Sequence, residues 1–67
     1  MNPYEATADV LVQRIVELIP KHPEILKMTS PWDLFSVQGF VCSDLNPTMH
    51  QAAWALEKAK TISKRLS

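Results

Sequence analysis

Apolar side chains recur every three or four residues along two segments of the chain. The first stripe comprises Tyr4, Ala8, Leu11, Ile15, Leu18 and Ile19 and ends before Pro20. Val12 and Val16 widen it. The second stripe comprises Met49, Ala52, Ala53, Leu56, Ala59, Ile62 and Leu66. This periodicity predicts two long amphipathic helices, over about residues 3–19 and 47–65.

The prolines indicate where helices begin, because proline is tolerated in the first turn, where its missing N–H has no intrahelical partner. Asn2-Pro3, Ser30-Pro31 and Asn46-Pro47 each place a favourable N-cap residue directly before proline. Glu5 and Asp33 follow the first two caps at the spacing of a capping box. These signals predict that helices start at residues 3, 31 and 47.

Shorter elements are expected between the two long helices. A helical piece over 24–28 should turn the chain, and a helix over 31–37 should stop at Gly39, the single glycine and a natural C-terminal cap. Residues 40–44 form a connector, and Phe35 and Phe40 are predicted core residues. The predicted fold is therefore all-α: a compact bundle of two long helices joined by one or two short helices, in a single domain over residues 1–67.

Composition narrows the classes of function. The chain has 67 residues, seven basic and seven acidic side chains and a pI near 6.7, which argues against a protein that coats nucleic acid or membranes. A core of this size leaves about 3–5 kcal/mol of net stability, which favours an additional partner surface. The single Cys42 cannot form an internal disulfide, and no apolar stretch approaches the ~20 residues of a membrane span. We therefore expect a cytoplasmic protein with no membrane association.

Few residues are spaced as catalysis or metal binding requires. Cys42 with His22 or His50 is a conceivable thiol–imidazole pair, but nothing in their spacing brings them together, and a buried thiol is the simpler interpretation. The same three residues lack the close paired spacing of a zinc site. One glycine is too few for a phosphate-binding loop. The sequence predicts neither an enzyme nor a cofactor or metal site.

Trp54 is the main functional candidate. At 100° per residue it projects about 160° away from Leu56, the centre of the predicted apolar face. Its helical neighbours are His50, Gln51, Lys58, Thr61 and Arg65. Either Trp54 is covered by Tyr4, the Phe40 loop or the segment around Trp32, or it is an anchor for a protein partner. Trp32, in the first turn of its helix, is a second candidate that shares a surface with Trp54 in this interpretation.

Charge is distributed unevenly along the chain. Residues 1–45 carry six acidic and three basic side chains, whereas residues 46–67 carry one acidic and four basic side chains. Complementarity with the helix dipoles explains most of this pattern. A basic last helix would also steer an acidic partner toward it, or pair with the acidic part of a second copy in an antiparallel homodimer.

Two functions fit these features. The first is a small non-enzymatic protein-binding module, such as an adaptor, inhibitor or regulatory subunit, whose partner is another protein or a second copy of the chain. The alternative is a helix-turn-helix-like DNA-binding regulator whose last helix enters the major groove. In that case, the contacts to DNA would come from Thr48, His50, Gln51, Lys58 and Arg65. Two features favour the first function. The predicted connector has about seven residues, whereas the helix-turn-helix motif uses three or four, and the net charge of the chain is zero.

Overall fold

The computed structural model describes residues 3–37, 41 and 44–66, and the side chains of the first helix from Ala6 onward. Within these described residues, three α-helices follow one another: α1 (Pro3–Leu18), α2 (Pro31–Phe35) and α3 (Met49–Leu66). A 3₁₀ helix, Pro23–Lys27, lies between α1 and α2. The long helices α1 and α3 pack against each other, with the short elements between them, so the predicted all-α arrangement is confirmed.

The apolar stripe of α1 forms one side of the core. Leu11 and Ile15 are completely buried, and Ala8, Val12 and Ile19 are nearly so. The helix ends where expected, because Pro20 cannot continue it. The backbone N–H groups of Lys21 and His22 instead donate to the Leu18 carbonyl, at 2.9 and 2.8 Å, and close the last turn. The predicted core residue Tyr4 and the predicted Asn2–Glu5 capping box lie outside the described side chains.

The face of α3 that meets α1 is built mainly from alanine. Ala52, Ala55 and Ala59 are fully buried around Leu56, so the backbones of the two helices can approach closely. The predicted stripe was wrong at two places: it omitted Ala55 and included Leu66, which is 76% exposed. The buried residues of α3 are Gln51, Ala52, Ala55, Leu56 and Ala59, so the buried face is rotated toward Gln51 and Ala55 relative to the predicted one.

The middle of the chain closes the remaining side of the core. Ile25, Leu34 and Val41 are completely buried, and Phe35 is half-buried against them. The Lys60 ammonium donates to the Met28 carbonyl and joins this region to α3. The predicted core residue Phe40 lies outside the described residues.

The predicted cap of α2 is present. The Ser30 hydroxyl accepts from the Asp33 N–H at 3.4 Å, and the Asp33 carboxylate accepts from the Thr29 N–H at 3.3 Å. The helix ends at Phe35, two residues earlier than expected, with Ser36 as its C-cap. Gly39, the expected C-cap, lies outside the described residues.

The start of α3 differs from the prediction. Thr48, rather than Asn46, caps the helix: its hydroxyl accepts from the Gln51 N–H at 3.0 Å, and the Gln51 side-chain oxygen accepts from the Thr48 N–H at 2.8 Å. This is a capping box. Asn46 has a φ of 47°, in the left-handed region, whereas an N-cap residue needs an extended backbone. Asn46 and Pro47 therefore lie before the helix, between the turn at Asp44 and Leu45 and the Thr48 cap.

An ion pair fixes the segment that leads into α3. The Arg14 guanidinium of α1 contacts both carboxylate oxygens of Asp44, with Nη2 to Oδ2 at 3.1 Å, and its Nη1 lies 3.5 Å from the Val41 carbonyl oxygen. The hydrogen bond from Arg14 lowers the pKa of Asp44. Arg14 thus contacts both the buried Val41 and Asp44, which lie between α2 and α3.

Candidate functional site

Trp54 lies on the outer face of α3, away from the helix face that is buried against α1. It is 41% exposed, although the residues on either side of it in the sequence face inward or are half-buried. The Lys58 ammonium lies 5.2 Å from the centroid of its ring, within the range of a cation–π contact. A lysine one helical turn away therefore covers part of the ring and leaves the rest open to solvent.

A shallow groove of about 360 Å³ runs along α3 beside this ring. We call it the Trp54 groove. Its walls are two rows of side chains, each spaced four residues apart. One row contains Trp54, Lys58 and Ile62, and the other contains Glu57, Thr61 and Arg65. Rows with this spacing are the ridges between which a second helix packs, so the geometry of this face is compatible with helix docking.

The predicted partner-binding residues are only partly brought together. Trp54, Lys58 and Arg65 line the groove, and His50 is exposed one turn before Trp54. Trp32 is 70% exposed on α2, where its ring centroid lies 6.4 Å from that of Phe35, and it is not among the residues that line the groove. The expected common surface of the two tryptophans is therefore not formed by the Trp54 groove.

Gln51 does not belong to the exposed surface. It is only 5% exposed, and its side-chain amide is held in the capping box with Thr48. Angular position alone placed Gln51 beside Trp54, whereas in the structure its side chain is buried, although the adjacent His50 is exposed. Gln51 therefore stabilises the start of α3 and is not a surface contact. This weakens the DNA-binding alternative, which placed Gln51 near the base edges.

Three groove residues were not among the predicted contacts. Glu57 and Thr61 lie three and seven residues after Trp54, and the Thr61 hydroxyl donates to the Glu57 carbonyl at 3.1 Å. Ile62 was assigned to the core, and its side chain both packs partly against the core and lines the groove. The signal for these three residues was their spacing of three, seven and eight residues from Trp54, which places them on the same side of the helix.

Outside the groove, the side chains of His22 and Glu24 contact each other. The Nδ1 of His22 lies 3.2 Å from a carboxylate oxygen of Glu24, and a backbone hydrogen bond, with the contact to His22, lowers the pKa of Glu24. Cys42, considered above with His22 and His50, lies outside the described residues. Among residues 3–37, 41 and 44–66, no three His, Cys, Asp or Glu side chains are grouped as a metal ion requires.

Comparisons with protein-family models, with curated proteins and with solved structures found no match to this chain. Within the part of the chain that the structure describes, no helix combines the length and apolar character needed to cross a membrane.

Proposed function

We propose that this chain is a small non-enzymatic protein-binding module, an adaptor, inhibitor or regulatory subunit, that acts through the Trp54 groove. One observation carries the proposal: a tryptophan remains 41% exposed beside a groove with the spacing of helix-packing ridges. Tryptophan is enriched among the residues that dominate binding energy at protein interfaces. A cytoplasmic setting is part of the proposal, supported by the single cysteine of the chain.

The exposed part of Trp54 is large enough to anchor a partner. A tryptophan side chain presents up to about 250 Å², so the open part of this ring amounts to about 100 Å². Covering that area stabilises a complex by about 2.5 kcal/mol at 25 cal/mol per Å². This value falls in the range of an interface hot spot, about 2 kcal/mol or more.

The helix that carries the groove is already well held before any partner binds. Its first turn is closed by the capping box, its inner face is buried against α1, and Lys60 ties its second half to the Met28 carbonyl. Since these contacts fix the backbone of α3, a partner need not order the helix on binding. Pre-organisation of this kind raises affinity by reducing the entropy lost in the complex.

The DNA-binding alternative has less support. A helix-turn-helix joins its two helices by three or four residues, whereas residues 36–48 separate α2 from α3. In addition, α2 has five residues, and Gln51 is buried. These features leave the basic character of α3 as the remaining argument for DNA.

The proposal is tested by capturing partners from the cells that make the protein, with matched tryptophan variants. Wild type, Trp54→Ala and Trp32→Ala are immobilised, after circular dichroism has shown that each variant is folded. We expect a protein that binds wild type and Trp32→Ala but not Trp54→Ala. With that protein purified, Trp54→Ala should weaken binding by about 2 kcal/mol or more, which is roughly thirtyfold in Kd.

Trp32→Ala serves as the control because it removes an exposed tryptophan that lies outside the groove. Equal loss of binding in both variants would show that exposed tryptophans promote adhesion in general. Retention of every captured protein by Trp54→Ala would contradict the proposal.

A further inference from the structure

The shape of the Trp54 groove specifies the form of its occupant. Its two walls, Trp54–Lys58–Ile62 and Glu57–Thr61–Arg65, run parallel along more than two turns of α3. A ridge of side chains from another helix fits between such rows at an interaxial angle of about −50°. The half-buried Ile62 makes part of the first wall apolar, which favours an apolar side chain at the centre of that ridge.

The charge of the groove specifies the chemistry of that helix. Of the residues that line it, Lys58 and Arg65 are basic and Glu57 is acidic, and α3 as a whole has four basic residues and one acidic residue. The helix dipole accounts for basic residues in the last turn, where Arg65 lies, but not for Lys58 in the middle of the helix. Carboxylates on a partner would complement both cations.

A second copy of the chain offers a poor complement to this charge. Asp44, Glu24 and Asp33 accept hydrogen bonds within the chain, from Arg14, His22 and the Thr29 N–H. The carboxylates of Asp9 and Glu17 lie on one row of α1 that has the exposed, polar Gln13 at its centre. Because that row lacks the central apolar side chain that Ile62 favours, a different protein matches the groove better.

We propose that the Trp54 groove binds an acidic amphipathic helix of another protein, with an apolar side chain between Trp54 and Ile62 and carboxylates facing Lys58 and Arg65. This inference rests on the proposed function, since it requires that the groove be the binding surface. Lys58 changes partners on binding: its ammonium moves from the face of Trp54 toward a carboxylate, and the uncovered ring then contacts the apolar side chain of the partner.

A display library of helical peptides, about four turns long and randomised on one face, tests the chemistry directly. It is selected separately on wild type, Trp54→Ala and the double variant Lys58→Glu/Arg65→Glu. We expect wild type to enrich peptides that carry Asp or Glu three or four residues from a bulky apolar residue, and Trp54→Ala to lose them. The charge-reversed variant should enrich Lys or Arg at the same positions.

The outcomes separate the two proposals. Enrichment of Trp54-dependent peptides without acidic residues would overturn the acidic partner and leave the binding module intact. If no enriched peptide depends on Trp54, both proposals fail. A dimer that dissociates on Trp54→Ala substitution, measured by sedimentation equilibrium, would assign the groove to a second copy and overturn this inference.

Affinity measurements on one enriched peptide provide the matched control. By fluorescence anisotropy, Lys58→Glu should weaken binding about tenfold or more, whereas Lys27→Glu, on the 3₁₀ helix outside the groove, should change it less than about twofold. Raising the salt concentration from about 0.05 to 0.5 M should weaken wild-type binding, because screening shortens the reach of charges. Displacement of the peptide by short duplex DNA at lower concentration than by unlabelled peptide would assign the face to nucleic acid and overturn the inference.

Discussion

Replacing Gln51 with alanine removes one half of the capping box that starts α3. The Gln51 side-chain oxygen accepts from the Thr48 N–H at 2.8 Å, and the residue is 5% exposed. After the substitution, the Thr48 N–H loses this acceptor in a partly buried position. The variant therefore tests whether Gln51 stabilises the helix, as the structure shows, or contributes to a binding surface, as its angular position on the helix predicts.

The expected loss of stability is about 2 kcal/mol. Losing the acceptor of a partly buried N–H costs about 1–3 kcal/mol, and the buried methylenes of Gln51 add to this through the loss of their packing. The higher helix propensity of alanine returns a few tenths of a kcal/mol. Because a domain of this size has only about 3–5 kcal/mol of net stability, the substitution should remove roughly half of it.

Urea unfolding followed by circular dichroism measures the effect. With a slope of about 1 kcal/mol per M, the midpoint should fall by about 2 M. Gln13→Ala is the matched control, because Gln13 is exposed on α1, and its midpoint should move by less than about 0.5 M. Binding through the Trp54 groove should be unchanged for the folded fraction of Gln51→Ala. Equal midpoints for the two variants would refute the structural role of Gln51.

Two further substitutions test the packing and the ion pair. Leu34→Ala should lower the free energy of unfolding by about 2–5 kcal/mol and leave the domain largely unfolded, because Leu34 is completely buried. The control Leu26→Ala, at a residue that is 40% exposed, should lower it by less than about 0.5 kcal/mol, measured by urea unfolding. Asp44→Asn should lower the urea midpoint slightly at neutral pH but not in acid. Arg14 lowers the pKa of Asp44 in the folded state, so the stabilisation from their ion pair is complete above the ordinary pKa of 3.8. It is lost as the pH falls through the lower pKa of the folded state. A difference in urea midpoint between wild type and Asp44→Asn that persists in acid would contradict this role.

Features that depend on neighbouring residues along one helix were predictable from sequence. The spacing of Leu11, Ile15 and Ile19 identified the buried face of α1, and the Ser30-Pro31 pair identified the start of α2. The position of Trp54 opposite Leu56 likewise placed it away from the core. In each case, the periodicity of the helix or the geometry of its first turn carries the information, and both are local properties of the chain.

Only the tertiary structure decided which side of each helix is buried. It also decided which of two suitable residues acts as the N-cap of α3. Asn46 and Thr48 are both good N-caps by type, but Asn46 lies in the left-handed region, and Thr48 caps the helix. The same choice takes Gln51 from the predicted surface into the capping box. The tertiary structure also places Trp32 outside the groove that Trp54, Lys58 and Arg65 line. Periodicity gives an angle around a helix axis, whereas contacts between distant parts of the chain determine what lies at that angle.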